Sequence, residues 1–211
     1  MDLASLRADY SQHQLSKSDV ERDPFTQFAI WFNEAIASQV QEPNAMHLGT
    51  SSSDNVPSGR TVLLKGFDHS GFVFFTNYES RKSRELLSNP NCYIHFFWKE
   101  LERQVFISGT AEKVAASESD DYFAERPYES QIAAWASRQS SIVESRKILE
   151  ERFDELKIKY PEGSVPRPEF WGGFRVSPVA FEFWQGRPGR LHDRIFYSPE
   201  NGRWNIRRLA P

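Results

Sequence analysis

The sequence of 211 residues contains a single cysteine, Cys92, which excludes an internal disulfide framework and any zinc site built on several cysteines. No apolar run approaches the roughly 18 residues that a membrane-spanning helix needs. The N-terminal residues lack the basic start and the apolar centre of a secretory signal peptide. We therefore expect a soluble, globular, cytoplasmic protein with no membrane partner.

Common phosphate-binding and catalytic motifs are also missing. The chain has neither the glycine-rich loop of nucleotide hydrolases nor the G-x-G-x-x-G turn of dinucleotide-binding domains. It has no G-x-S-x-G motif, which argues against an α/β-hydrolase. The five histidines are scattered, and no two of them have the spacing of metal ligands. The sequence therefore predicts no metal site.

The chain as a whole has a small net negative charge, but its last quarter is net positive. The 26 basic and 29 acidic residues leave a net charge of −3, which argues against binding to nucleic acid. Residues 161–211 nevertheless contain eight arginines, five acidic residues and no lysine. Arginine without lysine favours planar contacts with phosphate or carboxylate groups, although local drift in composition is the simpler explanation.

The spacing of apolar residues predicts five helices and eight strands. Asp23 and Pro24 form a helix start, and aromatic residues then recur three and four apart to about Gln41. Short β-rich runs bounded by turn residues predict strands over 45–50, 61–67, 72–76, 92–98, 104–114, 173–184, 191–197 and 204–209. Further helices are predicted over 80–87, 117–125, 130–137 and 145–160.

This order of elements predicts a mainly β fold with accessory helices, of the α+β class, built on an antiparallel barrel. A doubly wound sheet is disfavoured because strands and helices do not alternate regularly. Residues 1–22 are polar and are interpreted as an N-terminal arm or a loosely docked segment, and residues 23–211 as one domain. Asn201 and Gly202 are typical of a tight turn that joins the last two strands in a hairpin.

Two basic clusters lie in the first half of the chain. The first runs from Arg60 to Lys65; on a regular strand these two side chains would face opposite ways, so that one ligand touches both only at a bend or a strand end. The second is Ser80-Arg81-Lys82, at a helix start where the helix dipole favours an anion. Each cluster also suits an ordinary solvated surface.

Two more basic clusters follow. Tyr122 and Arg126 are four residues apart on one helix face, and Ser130 is expected to begin the next helix, although such a pair is also common on exposed helices. On a strand, Arg190, His192 and Arg194 would share one face and repel one another unless an anion lay between them. Trp171 and Trp184 lie near this last cluster, where they either offer flat surfaces to a ring system or belong to the core.

The run from Phe181 to Arg194, FEFWQGRPGRLHDR, resembles the signature of the pyridoxamine 5′-phosphate oxidase family. The first three basic clusters and the ending Arg208-Leu209-Ala210-Pro211 also fall where that family has them, and the fourth basic cluster is part of the signature itself. The resemblance covers nearly the whole chain from about Arg7. It implies a homodimeric split β-barrel flavoprotein with FMN in two clefts at the subunit interface, and residues from about 170 to 211 as the dimerisation and substrate region.

The resemblance also implies an activity. Members of this family oxidise pyridoxamine 5′-phosphate or pyridoxine 5′-phosphate to pyridoxal 5′-phosphate, and O2 reoxidises the flavin and yields hydrogen peroxide. Two phosphorylated ligands in each site would explain why a protein of net negative charge has several basic clusters.

Site residues follow from the resemblance by position. The residues expected to bind FMN are Arg60, Thr61, Val62, Leu63, Leu64, Lys65, Phe75, Thr76, Arg81, Lys82, Gln104, Gln139, Ser140, Trp184 and Arg194. Those expected to bind the substrate are Arg7, Tyr10, Lys65, Tyr122, Arg126, Ser130, Arg190 and His192, of which Arg190 and His192 would be catalytic and face the pyridine ring.

The sequence departs from the family pattern at two places. Phe75 stands where some members have tyrosine, which matters little if that contact is made by the backbone. Ala8 and Asp9 replace a more basic arm, which puts a lid role for the N-terminal segment in doubt. Alternative interpretations are another split-barrel flavin reductase or flavin-binding protein, or a binding module for pyridoxal phosphate or nucleic acid.

Overall fold

The computed structural model describes residue 3 and residues 9–211. Its helices are α1 (Pro24–Ala37), α2 (Arg81–Ser88), α3 (Ala116–Glu125), α4 (Tyr128–Ala136) and α5 (Arg146–Lys159). Its strands are β1 (Ala45–Ser51), β2 (Pro57–Leu63), β3 (Gly66–Asp68), β4 (Gly71–Asn77), β5 (Asn91–Trp98), β6 (Arg103–Lys113), β7 (Trp171–Gln185), β8 (Asp193–Glu200) and β9 (Arg203–Leu209). Short 3-10 turns cover Lys99–Leu101 and Pro188–Arg190.

All strand pairs of the sheet are antiparallel. The main order is β2-β1-β5-β6-β7-β4-β3, and β8 pairs with both β7 and β9. The long strand β7 joins the two halves, because its first residues pair with β4 and its last residues pair with β8. A register shift between Ser108 and Gly109 bends the β6–β7 ladder. This antiparallel sheet, with five helices in the described part of the chain, confirms the predicted fold class.

Aromatic side chains from α1 and the inner face of the sheet form the core. The Phe28 ring is fully buried, with its centroid 5.0 Å from that of Phe72 and 5.1 Å from that of Phe96. Trp31 meets Phe183 edge to face at 5.2 Å. Asp23 caps α1 as predicted, since its carboxylate accepts the Thr26 N–H. The helix was predicted to continue to about Gln41, but it ends at Ala37. The backbone leaves the helical conformation there, and Gln39 has a positive φ.

The strand predicted over 61–67 is two strands. β2 ends at Leu63 and β3 begins at Gly66, because the chain changes its partner strand between them: the Leu64 N–H still bonds to the Asn44 carbonyl beside β1, whereas the Lys65 N–H bonds to the Val73 carbonyl of β4. The chain therefore bends immediately after β2. A bend here is the condition under which one ligand touches both Arg60 and Lys65.

The strand predicted over 191–197 also begins later than expected. Pro188 and Gly189 close a 3-10 turn, Arg190 has a φ of 61°, and β8 starts only at Asp193. The expectation that Arg190, His192 and Arg194 share one strand face is therefore wrong. The predicted hairpin is confirmed, with positive φ at Asn201 and Gly202, as a tight turn between β8 and β9 requires.

The segment from Tyr10 to Arg22 is held by side chains that come much later in the sequence. The buried Glu102 carboxylate accepts the backbone N–H groups of Ser11 and Gln12, and Asp193 accepts that of Leu15. These bonds dock the segment more firmly than the polar sequence predicted.

Among the described residues, no helix combines the length and the apolar character needed to cross a membrane.

Candidate active site

One cleft collects most of the predicted site residues. Its volume is about 950 Å³, and it lies where β2, β4 and the starts of α2 and α4 meet the end of α3. Fourteen of the predicted residues line it: Arg60, Thr61, Val62, Leu63, Lys65, Phe75, Thr76, Arg81, Lys82, Tyr122, Arg126, Ser130, Gln139 and Ser140. Leu64 does not line it, because its side chain is buried in the core.

Lys82 is a buried cation on the cleft wall. It is 8% exposed, and its Nζ donates to Thr76 Oγ1 at 3.1 Å, Ser80 Oγ at 3.2 Å and Gln139 Oε1 at 2.9 Å. All three acceptors are neutral. Burial, together with the charge of Arg60, lowers the pKa of Lys82 to about 8. A buried ammonium group without a counter-ion is costly, so this wall is prepared for an anion.

Arg126 forms a second cationic position in the cleft, at the end of α3. Its guanidinium lies over the Trp171 ring, 4.6 Å from the centroid, and burial lowers its pKa. Its Nη1 is buried and has no hydrogen-bond partner in the described part of the chain. Tyr122 stacks on Phe75 at 4.1 Å, and Lys65 Nζ lies 5.8 Å from the Tyr122 ring. An unpartnered guanidinium nitrogen beside a lysine and a phenol is suited to phosphate.

Arg60 and Arg81 differ from these two cations because they share a carboxylate, that of Glu85. Arg81 Nε donates to Glu85 Oε1 at 2.8 Å, and Arg60 Nη2 lies 3.3 Å from Glu85 Oε2. Burial opposes ionisation of Glu85, but hydrogen bonds from Ser58, Thr50 and Arg81 outweigh it and lower the pKa of Glu85 to about 2. Glu85 was missed by the sequence analysis, although its position four residues after Arg81 was a signal for an ion pair.

A second cluster, which we call the C-terminal cluster, contains Tyr10, Gln104, Trp184, Arg190, His192 and Arg194. None of these six residues lines the cleft. Gln104 and Trp184 are paired across β6 and β7, and the His192 ring lies 4.6 Å from the Trp184 ring. Tyr10 meets Trp184 edge to face at 5.8 Å and packs on Gly186, where a Cβ would lie 2.7 Å from the Tyr10 side chain.

Hydrogen bonds fix the orientation of two side chains in the C-terminal cluster. The backbone N–H of Arg187 donates to His192 Nδ1 at 3.1 Å, which leaves the proton of the neutral ring on Nε2. Burial and the nearby charge of Arg190 lower the pKa of His192, which favours that neutral ring. Arg194 is held by Glu182 through two bonds, of 2.7 Å and 3.0 Å. Arg190 is exposed on its turn.

The chain matches two family models in sequence. Residues 32–160 match the model described as pyridoxamine 5′-phosphate oxidase, and residues 171–211 match the pyridoxine 5′-phosphate oxidase C-terminal dimerisation region. The chain belongs to the pyridoxamine 5′-phosphate oxidase family. The C-terminal cluster lies mostly within the dimerisation region, whereas most of the cleft residues lie within the first match.

Curated relatives agree over the full length. The chain is 54% identical to a pyridoxine/pyridoxamine 5′-phosphate oxidase of Crocosphaera subtropica, with all of both chains covered. It is 53% identical to the protein of that name from Burkholderia thailandensis, with 99% of each chain covered.

Solved structures share the fold. A PhzG from Burkholderia lata in complex with tetrahydrophenazine-1-carboxylic acid is 30% identical, with 97% of this chain and 100% of that chain covered and a TM-score of 0.90. A pyridoxamine 5′-phosphate oxidase-related, FMN binding protein from Nostoc punctiforme has a TM-score of 0.71 at 15% identity, with 90% of this chain and 98% of that chain covered. The second likeness concerns the fold alone.

Arg7, which the sequence analysis assigned to the substrate site, lies outside the described residues.

Proposed function

We propose that this protein is an FMN-dependent oxidase that converts pyridoxamine 5′-phosphate and pyridoxine 5′-phosphate to pyridoxal 5′-phosphate. The observation that carries the proposal is the uncompensated positive charge of the cleft. Lys65, Lys82 and Arg126 line one cavity, and none of them forms an ion pair among the described residues. Full-length relatives that carry the name of this activity support the same conclusion.

The residues of the cleft fit the phosphate of FMN at one end and the phosphate of the substrate at the other. Lys82, Arg60 and Arg81 would hold the FMN phosphate beside the start of α2, where backbone N–H groups also favour an anion. Lys65, Tyr122, Arg126 and Ser130 would hold the substrate phosphate. Bound FMN supplies the acceptor for two electrons from C4′ of the substrate, and O2 is the terminal oxidant that yields hydrogen peroxide.

The C-terminal cluster would complete the site from a second copy of the chain. Up to about 40 Å of extended strand separates Trp171, which lines the cleft, from Trp184 on the same strand. Because the cluster lies mostly in the matched dimerisation region, a homodimer with FMN at the interface brings the two groups together. Gln104, Trp184 and Arg194 would then contact FMN, and Arg190 and His192 would face the substrate ring.

The neutral His192 suits a positioning role. Its Nδ1 accepts a hydrogen bond from the Arg187 N–H. Its Nε2–H is therefore available as a donor to the hydroxyl oxygen attached to the substrate ring or to the C4′ substituent. Arg190 carries a fixed charge that would lie over the ring and orient it. The residues of this chain would therefore act mainly by holding C4′ in place for oxidation.

An absorption spectrum of the purified protein tests the proposal. We expect flavin bands that bleach when pyridoxamine 5′-phosphate is added without air and recover when air is admitted. Flavin bands that do not bleach would favour another flavoprotein activity. A protein that stays colourless after FMN is supplied would overturn the proposal.

A further inference from the structure

One buried carboxylate, that of Glu85, lies behind the cleft, in contact with two arginines that line it. Glu85 is 6% exposed, yet it lies between the two arginines proposed to hold the FMN phosphate. A negative charge at this position repels a phosphate group, so Glu85 must favour phosphate binding in another way if it belongs to the site. The hydrogen bonds around Glu85 define that role.

Donor and acceptor roles around Glu85 follow from the chemistry of the groups. A guanidinium only donates and a carboxylate only accepts, so each hydroxyl between them must accept from one and donate to the other. Thr50 Oγ1 accepts from Arg60 Nη1 at 2.6 Å, and Ser58 Oγ accepts from Arg60 Nη2. Both hydroxyls donate to Glu85 Oε2. Arg60 is therefore held by a closed network that ends on Glu85.

The other carboxylate oxygen of Glu85 orients Arg81. Within residues 9–211 its donor is Arg81 Nε alone, at 2.8 Å, which fixes the direction of the guanidinium plane. Among the described residues, the two terminal nitrogens of Arg81 have no hydrogen-bond partner, and the residue lines the cleft. Those two nitrogens can therefore bind a phosphate group in a bidentate manner.

We propose that Glu85 is a positioning residue for the phosphate of FMN, holding Arg60 and orienting Arg81 before the cofactor binds. The inference rests on the proposed function, because it assumes that this end of the cleft receives the FMN phosphate. The carboxylate reduces the net positive charge of the site but prevents the two guanidinium groups from separating or rotating. Affinity for the phosphate then comes from pre-organised donors, which lose little side-chain entropy on binding.

Comparison of FMN with riboflavin isolates the phosphate group. Dissociation constants of both flavins are measured by fluorescence quenching for the wild type, Glu85→Ala, Glu85→Gln and the control Glu150→Gln. The control removes a carboxylate from an exposed ion pair with Arg146 on α5, and neither residue of this pair lines the cleft. The melting temperature of each apoprotein is measured alongside.

We expect Glu85→Ala to weaken FMN binding by about tenfold or more and riboflavin binding by less than about threefold. Glu85→Gln keeps one acceptor oxygen and should lie between Glu85→Ala and the wild type. Glu150→Gln should match the wild type for both flavins. Where Glu85→Ala does not fold, a loss of FMN affinity without loss of riboflavin affinity in Glu85→Gln supports the proposal.

Two results would overturn the positioning role. FMN affinity that is unchanged or tighter in both Glu85 variants would mean that the carboxylate only repels the phosphate or is a bystander. Equal losses for FMN and riboflavin would mean that Glu85 supports the fold and not the phosphate site. A wild-type protein that binds the two flavins equally would instead refute the placement of the phosphate under the proposed function.

Discussion

The cleft and the C-terminal cluster both contain arginines, but they treat the charge of those arginines differently. In the cluster, Arg194 is paired with Glu182 by two hydrogen bonds. In the cleft, Arg126 stacks on Trp171 and keeps a buried nitrogen that has no partner in the described part of the chain, and Lys82 donates to neutral acceptors. Arg126 and Lys82 thus keep their charge for a ligand, whereas Arg194 in the cluster is held in place by a carboxylate, as Arg60 and Arg81 are by Glu85.

This difference indicates that the two regions contribute differently to ligand affinity and to turnover. A buried cation without a counter-ion destabilises the ligand-free protein through its desolvation free energy, and a bound anion offsets this destabilisation. Paired cations and a histidine of fixed tautomer cost little and present a rigid surface to a ring. We therefore expect mutations in the cleft to change affinity and mutations in the cluster to change turnover.

The largest expected effect comes from the C-terminal cluster. Arg190→Ala should lower kcat/KM by roughly 100- to 1,000-fold, because the substrate ring loses the charge that orients it, while the FMN dissociation constant changes by less than about threefold. Steady-state kinetics and flavin titration measure the two quantities. Arg146→Ala, in an exposed pair on α5, is the control for removal of an arginine. Equal losses in kcat/KM and in FMN affinity would contradict the assignment of Arg190.

A smaller effect, of a different kind, is expected in the cleft. Arg126→Ala should raise KM for pyridoxamine 5′-phosphate by about 10- to 100-fold and leave kcat within about threefold, because a phosphate contact acts equally in the ground and transition states. The same kinetic assay, carried to saturating substrate, separates the two parameters. An unchanged KM would remove Arg126 from the phosphate site.

The smallest effect is a pH dependence that belongs to the cleft alone. Lys82 has its pKa lowered to about 8 by burial and by Arg60, so FMN affinity should fall above that pH, by at most about tenfold per pH unit. Stability has the opposite sign: the unfolded chain keeps the proton up to a pKa near 10.5, so the stability of the apoprotein should rise between these two values.

Titration of FMN binding between about pH 7 and pH 9.5 measures this effect, with chemical denaturation of the apoprotein for the stability. Lys82→Arg is the matched variant, because a guanidinium stays charged over this range. An FMN affinity that falls equally in the wild type and in Lys82→Arg would assign the pH dependence to another group.

Local patterns in the sequence predicted most elements of the fold. The Asp23-Pro24 start of α1 and the Asn201-Gly202 turn each depend on adjacent residues, and both are in place. The start of β8 was placed too early, because the apolar pattern near Leu191 does not reveal that Gly189 and Arg190 take positive φ values. The end of β2 depends on a change of hydrogen-bond partner, from Asn44 beside β1 for Leu64 to Val73 of β4 for Lys65, which no local pattern contains.

The sequence predicted which residues belong to the candidate site, but not that they form two separate groups, the cleft and the C-terminal cluster. Resemblance to a family supplied the residues, and fourteen of them line one cleft. The separation of the C-terminal cluster from that cleft is a property of the sheet, in which β7 carries Trp171 at one end and Trp184 at the other. Glu85 was missed because its partners Thr50 and Ser58 come from two strands that only the folded sheet brings beside α2.

The central claim is that one active site combines the cleft of one subunit with the C-terminal cluster of another. Co-expression of Arg126→Ala and Arg190→Ala chains with different tags, followed by two-step purification, yields dimers that contain one chain of each kind. If the site is shared, one of the two sites in such a dimer is intact, and kcat/KM should recover to about half of the wild-type value. A mixed dimer no more active than the average of its two parents would contradict the claim.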